Sequence, residues 1–172
     1  MRNLYIDFDG VIMNTIEITY SELRERNLDS KNLEDQEQIR DYYTNIDWHE
    51  LLNDKASVIN DAIECIKKID ASNRFNMAIL SHVNSLHEAM EKVEYLRKYL
   101  KDITIIPVPR DTSKTEMVQT KDAVLVDDYA GNLEEWKNMG GISIKFSTEL
   151  DGKGFPVIDK LDELLDLDIL QD

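Results

Sequence analysis

Asn3-Leu4-Tyr5-Ile6-Asp7-Phe8-Asp9-Gly10-Val11 opens the chain with an apolar run that ends in two carboxylates two positions apart, followed by a glycine. On an extended backbone, residues two apart point to the same side, so Asp7 and Asp9 can face one ligand. Gly10 carries no Cβ and lets the backbone turn sharply beside that ligand. One carboxylate of such a pair can attack phosphorus while the other handles the leaving group's proton; a strand that simply ends in an acidic turn is the plainer alternative. The same arrangement recurs downstream. Met77-Ala78-Ile79-Leu80 runs into Ser81, Val124-Leu125-Val126 runs into Asp127 and Asp128, and Lys114 lies in the loop before the last of these. In an open parallel sheet the crevice lies at the carboxyl ends of the strands, so groups placed just after separate strands converge on one site.

Taken singly, each residue has two readings. Ser81 can be the N-cap of a helix over 82–100, and that helix N-terminus would in turn offer free N–H groups to a phosphate. His82 either touches the same phosphate or lies on the first helical turn. Lys114 has a rival in Lys121, which directly precedes a buried strand, where a lysine usually points to water. Asp127 and Asp128 repel each other unless a cation sits beside them. Hard oxygen ligands in that number suit Mg²⁺ better than zinc, and no Cys/His set competes. Tyr43 and Trp48 are candidates for stacking on a nucleobase, though aromatics at such spacing more often form a small apolar core. His49 and His87 show no metal-ligand spacing.

The flanking sequence supplies the scaffold. Strands are predicted at Asn3–Phe8, 76–81, Ile103–Val108, Ala123–Val126 and Ile142–Phe146, with Pro107 and Pro109 ending the third. Helical periodicity marks 57–70, a helix with Leu86, Ala89, Met90, Val93, Leu96 and Leu100 on its apolar side, Asn132–Met139, and a closing helix with Leu161, Leu164 and Leu165. Strands alternating with helices predict an α/β core with a doubly wound parallel sheet. No clear strand occurs in the stretch 14–73, which reads as a helical cap inserted into a core made of 1–13 and 74–172. At 172 residues the chain is long enough to bury a real core. A formal charge of −15 disfavours a nucleic-acid duplex or an anionic membrane as partner. A small phosphorylated molecule remains compatible, because a bound divalent cation reverses the local field. Cys65 is the single cysteine, placed on or beside a helix face, and suits a reducing cytoplasm. No signal peptide or membrane span is expected.

In this order the residues resemble the four motifs of the haloacid dehalogenase superfamily of phosphatases: Asp7-x-Asp9-Gly-Val, Ser81 after a buried strand, Lys114, then Asp127-Asp128. Asp127-Asp128-Tyr129 followed by Asn132, with Lys114 thirteen positions before the first acid, is similar to the 5′-nucleotidase and deoxyribonucleotidase branch. The resemblance implies a Rossmann-like sheet with the first strand central. It implies Asp7 as the nucleophile that forms an aspartyl-phosphate and Asp9 as the acid and base. Ser81 and Lys114 would hold the phosphoryl oxygens. Asp7, the Asp9 backbone carbonyl and Asp127 would bind Mg²⁺, with Asp128 close behind. A (deoxy)nucleoside monophosphate is the expected substrate, another small phosphate ester the alternative, and a binding protein with little turnover a third reading.

Overall fold

A computed structural model describes residues 1–171. Six strands form one parallel sheet: β1 (Arg2–Ile6), β2 (Phe75–Val83), β3 (Thr104–Pro109), β4 (Val124–Asp127), β5 (Ile142–Phe146) and β6 (Val157–Ile158). Their order across the sheet is β3-β2-β1-β4-β5-β6, so β1 lies between β2 and β4. The central strands read as unbroken apolar runs because both faces are covered. Alternate residues of β1 show this: Leu4 and Ile6 join one hydrophobic cluster and Tyr5 joins another on the opposite face.

Helix α1 (Thr15–Glu25), α2 (Gln36–Asn45) and a short α3 (Trp48–Glu50, continuing as a wider turn through Lys55) follow β1. Leu23, Ile39 and Tyr42 give this part a small core of its own. The next helix, α4 (Ala62–Ala71), instead buries Ile63, Ile66 and Ile69 in the main core. Where the chain leaves and re-enters the core, the two passages are tied together. The Ile59 N–H donates to the Ile12 carbonyl (2.9 Å), and Asn14 pairs with Ser57 through backbone and side chain. Helices α5 (Leu86–Arg97), α6 (Lys114–Met117) and α7 (Ala130–Asn138) complete the layers, α5 against the first cluster and α7, through Leu133 and Trp136, against the second.

Several local expectations need correction. Ser81 is not a helix cap: β2 continues through it to Val83, and α5 begins only at Leu86, where Ser85 accepts from the Glu88 N–H (3.1 Å). Pro107 does not end β3, which runs on to its last residue at Pro109. Ser81 and Val83 pair with Pro107 and Pro109 along an edge strand, where a missing N–H on the open side breaks no ladder bond. Leu86 and Met90, expected on the buried side of α5, are exposed (76% and 54%), and that helix buries Glu88, Lys92, Tyr95 and Leu96 instead. The closing helix is a short 3₁₀ segment, Leu161–Leu165. Among the described residues no helix is long and apolar enough to cross a membrane.

Candidate active site

The sheet order puts the ends of β2, β1 and β4 side by side, and with them Ser81, Asp7 and Asp127. The Asp7 N–H extends the ladder by donating to the Val126 carbonyl (2.9 Å). This fixes Asp7 directly opposite the Asp127-Asp128 pair. Carboxylate oxygens of Asp7, Asp127 and Asp128 lie within 4.8 Å of one another. The Lys114 ammonium lies between two of these acids, 2.9 Å from Asp7 Oδ1 and 2.6 Å from Asp127 Oδ2. Lys114 is the first residue of α6, whose start is held by the reciprocal cap of Ser113 and Glu116. Lys121, its rival in the sequence, is exposed. Asp127 is fully buried and accepts from the Tyr129 N–H (2.8 Å) and the Asn132 amide (3.0 Å) as well as from Lys114.

Asp9 points to the other side of Asp7, into a set of partners that the sequence did not announce. Thr15 Oγ1 donates to one of its oxygens (2.6 Å) and the Lys92 ammonium to the other (2.5 Å). Lys92 also donates to Ser81 Oγ (3.1 Å) and to the His82 carbonyl (3.0 Å), and pairs with the buried Glu88 (2.7 Å). Its ammonium lies over two rings, 5.2 Å from the Phe8 centroid and 5.1 Å from that of Trp48. The His82 ring is half-buried and bonds the Thr112 carbonyl through Nε2 (2.9 Å), which ties the end of β2 to the loop that leads into Lys114. Burial holds the His82 imidazole below its ordinary pKa. For Lys92, burial opposes the charge, but Asp9 and Glu88 outweigh it and raise the pKa.

Five carboxylates (Asp7, Asp9, Glu88, Asp127, Asp128) therefore face three ammonium groups, Lys92, Lys114 and Lys145. The excess of two negative charges equals the charge of one divalent cation. The titration of the site agrees. Burial, with help from neighbouring acids and against the pull of Lys114, raises Asp7 to about 7. Burial together with Asp7, Asp127 and Asp9 raises Asp128 to about 8, against Lys145. An all-oxygen donor set without histidine or thiolate fits Mg²⁺.

The sign of the resulting pH effect follows from linkage. Unfolded aspartates titrate near ~4, so between roughly pH 4 and 8 the folded, metal-free state binds more protons than the unfolded one, and stability falls as pH rises. In thermal melts without divalent ions, the protein is expected to melt higher at about pH 6 than at about pH 8.5. Mg²⁺ at millimolar concentration should remove that loss, since a cation held by the folded, ionised carboxylates stabilises the folded state. An unchanged melt on adding Mg²⁺ at the higher pH would contradict the assignment.

Beside Asp9, between the helices after β1 and the ends of β2 and β3, lies a cavity of about 290 Å³ lined by residues including Tyr20, Arg40, Tyr43, His82 and Arg110. Trp48 borders it but is only 2% exposed, and its indole N–H is occupied by the Tyr43 carbonyl (3.3 Å). Tyr43 is half-buried, its hydroxyl near Thr19 Oγ1 (3.3 Å). Gly10 has φ +75°, and a Cβ there would collide with the Asp128 carboxylate. Gly10→Ala is therefore expected to push Asp128 out of the cluster and weaken Mg²⁺ binding at least ~10-fold, measured by calorimetric titration. Unchanged affinity would exclude Asp128 from the metal site.

No family profile matches the sequence, and no curated protein matches it. Solved structures do resemble it in fold. A hydrolase from Pseudomonas syringae superposes with a TM-score of 0.64 at 14% identity, covering 96% of this chain and 97% of that one. A phosphonoacetaldehyde hydrolase-like protein from Oleispira antarctica gives 0.65 at 12% identity, covering 95% and 89%. A haloacid dehalogenase-superfamily phosphatase from Thermococcus onnurineus gives 0.61 at 16% identity, covering 96% and 97%. The chain has the fold of the haloacid dehalogenase-like hydrolases.

Proposed function

We propose that this protein is a Mg²⁺-dependent phosphomonoesterase that works through a phosphorylated Asp7 and acts on a (deoxy)nucleoside monophosphate. The observation that carries the reading is the placement of Asp7: a buried carboxylate with Lys114 and the Asp127-Asp128 pair on one side and Asp9, facing a cavity, on the other. In the first displacement an Asp7 oxygen attacks phosphorus and the bond to the leaving oxygen breaks. Asp9 gives that oxygen its proton. In the second, Asp9 takes a proton from water as the water attacks phosphorus, the Asp7–phosphorus bond breaks, and inorganic phosphate leaves. Asp7, Asp127 and Asp128, with the Asp9 carbonyl, would hold Mg²⁺. Bound there, the ion supplies positive charge that offsets the phosphate dianion. Lys114 contributes a second positive charge at the transferring oxygens, and Ser81 a hydroxyl. That several fold neighbours are described as hydrolases or phosphatases supports the reaction class. The single, buried Cys65 suits a reducing cytoplasm.

In this reading the ester's leaving group fills the cavity beside Asp9, and Tyr43 is the aromatic that meets a base. Trp48 closes the floor beneath. Tyr43→Ala should raise KM for nucleoside monophosphates by about fivefold or more while changing KM for p-nitrophenyl phosphate less; equal changes would count against base stacking. A second reading rests on Arg40 and Arg110, which stand exposed at the rim of the same cavity in a chain of net charge −15. They favour a leaving group that bears its own negative charge. Phosphate release from a panel of nucleotides, sugar phosphates and carboxylated phosphate esters, with Mg²⁺ and with chelator, separates the two. Release from none of them would remove the phosphomonoesterase reading itself.

A further inference from the structure

We infer that Lys92 is a positioning residue that holds Asp9 in place as the acid for the leaving group and fixes it relative to Ser81. The inference rests on the phosphomonoesterase reading above. A surface Glu-Lys pair four apart on a helix is commonplace and worth little. Glu88 and Lys92 are different: both are buried, at 1% and 2% exposure. Burying an ammonium and a carboxylate costs several kcal/mol of desolvation per ion, which geometry must offset, so the pair is poor evidence of stabilisation. It stands on the one face of α5 that looks into the site, where the same spacing with two leucines would have packed at no such cost.

The geometry shows what the ammonium does there. A lysine has three N–H donors. Four acceptors surround this one: Asp9 Oδ2, Ser81 Oγ, the His82 carbonyl and Glu88 Oε1, all within 3.1 Å. These acceptors come from the loop after β1, from β2 and from α5 itself. Glu88 is in turn held by the backbone and side-chain N–H groups of Asn84 (2.7 and 3.0 Å), so the anchor is rigid. The Phe8 and Trp48 rings both lie within cation–π distance of the ammonium. With Thr15 on its second oxygen, Asp9 is gripped at both ends of its carboxylate. Without Lys92, the Asp9 carboxylate would keep, among the described residues, only the Thr15 hydrogen bond, and its rotamer would be freed. Proton transfer to a leaving oxygen requires hydrogen-bond reach, and small misplacements there are costly.

A residue that acts through Asp9 must matter in proportion to how much the leaving group needs a proton. p-Nitrophenolate departs unprotonated; the 5′-oxygen of a nucleoside does not. The test compares kcat/KM for p-nitrophenyl phosphate and for a nucleoside monophosphate on the same preparation, so that the folded fraction cancels in the ratio. The variants are Lys92→Met, the charge-neutral double variant Glu88→Gln/Lys92→Met, which leaves no unpaired buried acid, and each combined with Asp9→Asn. The expected result is a loss of about 10²-fold or more on the nucleotide and less than about tenfold on the aryl ester. In the Asp9→Asn background, removing Lys92 should add almost nothing to that ratio. Equal losses on both substrates, or the same added factor with and without Asp9, would overturn the inference and make Lys92 a packing or phosphate-binding group. Wild-type protein that cleaves neither ester would instead overturn the phosphomonoesterase reading, and the inference with it.

Discussion

Asp7→Asn is expected to lower phosphate release by about 10⁴-fold or more, the scale on which enzymes lose rate when a covalent nucleophile is removed. The variant should nevertheless fold, and in metal-free buffer near about pH 8 it should melt no lower than the parent. The reason is local. Burial, joined by repulsion from Asp127 and Asp9 and opposed by Lys114, raises the Asp7 pKa to about 7, so the ionised side chain costs the folded state stability. An amide of the same shape relieves that repulsion and still lets Lys114 pair with Asp127. The stabilising response to Mg²⁺ should shrink at the same time, because one of the three clustered carboxylates is gone. Circular dichroism melts and a phosphate-release assay on one preparation check both halves. A variant that kept activity within tenfold of the parent would place the nucleophile elsewhere.

Lys114→Met should damage both activity and stability, the opposite pairing. The residue is 3% exposed, and its ammonium lies between Asp7 and Asp127. Burial works against that charge, yet the two carboxylates outweigh it and hold the lysine protonated far above any physiological pH. Removing one partner of a buried ion pair leaves the others uncompensated, at a cost of about 3–5 kcal/mol. For a chain of this size that is a fall in Tm on the order of 10 °C in metal-free buffer. Mg²⁺ should recover part of it by supplying charge at the same place. Turnover should fall by about 10²–10³-fold even with saturating Mg²⁺, as when a preorganised group facing developing charge is lost. Lys121→Met provides the contrast. That side chain is exposed, and its removal should change stability by less than ~0.5 kcal/mol and leave turnover unaltered. The reverse pattern between the two lysines would contradict the site as described.

The sheet was legible in the sequence because parallel strands are covered on both faces. Leu4-Tyr5-Ile6 and Val124-Leu125-Val126 had to be apolar on each side, and polar residues could appear only where those strands ended. That the polar residues at those ends, Asp7, Ser81 and Asp127, meet follows from the strand order β2-β1-β4. Lys92 and Glu88 were invisible for the same reason in reverse. Apolar periodicity assumes that a buried helix face is apolar, so it put Leu86 and Met90 inside and left the charged residues for solvent. Positions 88, 92, 95 and 96 do share one helical face, and Tyr95-Leu96 was the available hint that Glu88 and Lys92 lie inward with them. Ser81 was read as a cap because an N-cap and a strand end look alike when a helix follows. The three residues of β2 and loop between Ser81 and Ser85 moved the helix start away from the site. Thr15 and Lys145 lacked any local signal: each matters only because folding brings it to an acid distant in sequence.

The most direct test of the account is chemical capture of the acyl phosphate. Protein turning over a phosphate ester with Mg²⁺ would be quenched in acid and digested, and its peptides analysed by mass spectrometry. The account predicts one phosphoryl group on the peptide carrying Asp7, stable to acid, lost on treatment with hydroxylamine, and absent from Asp7→Asn. A phosphoryl group on Ser81, or turnover in ¹⁸O-labelled water that places label in the Asp7 carboxylate, would contradict it.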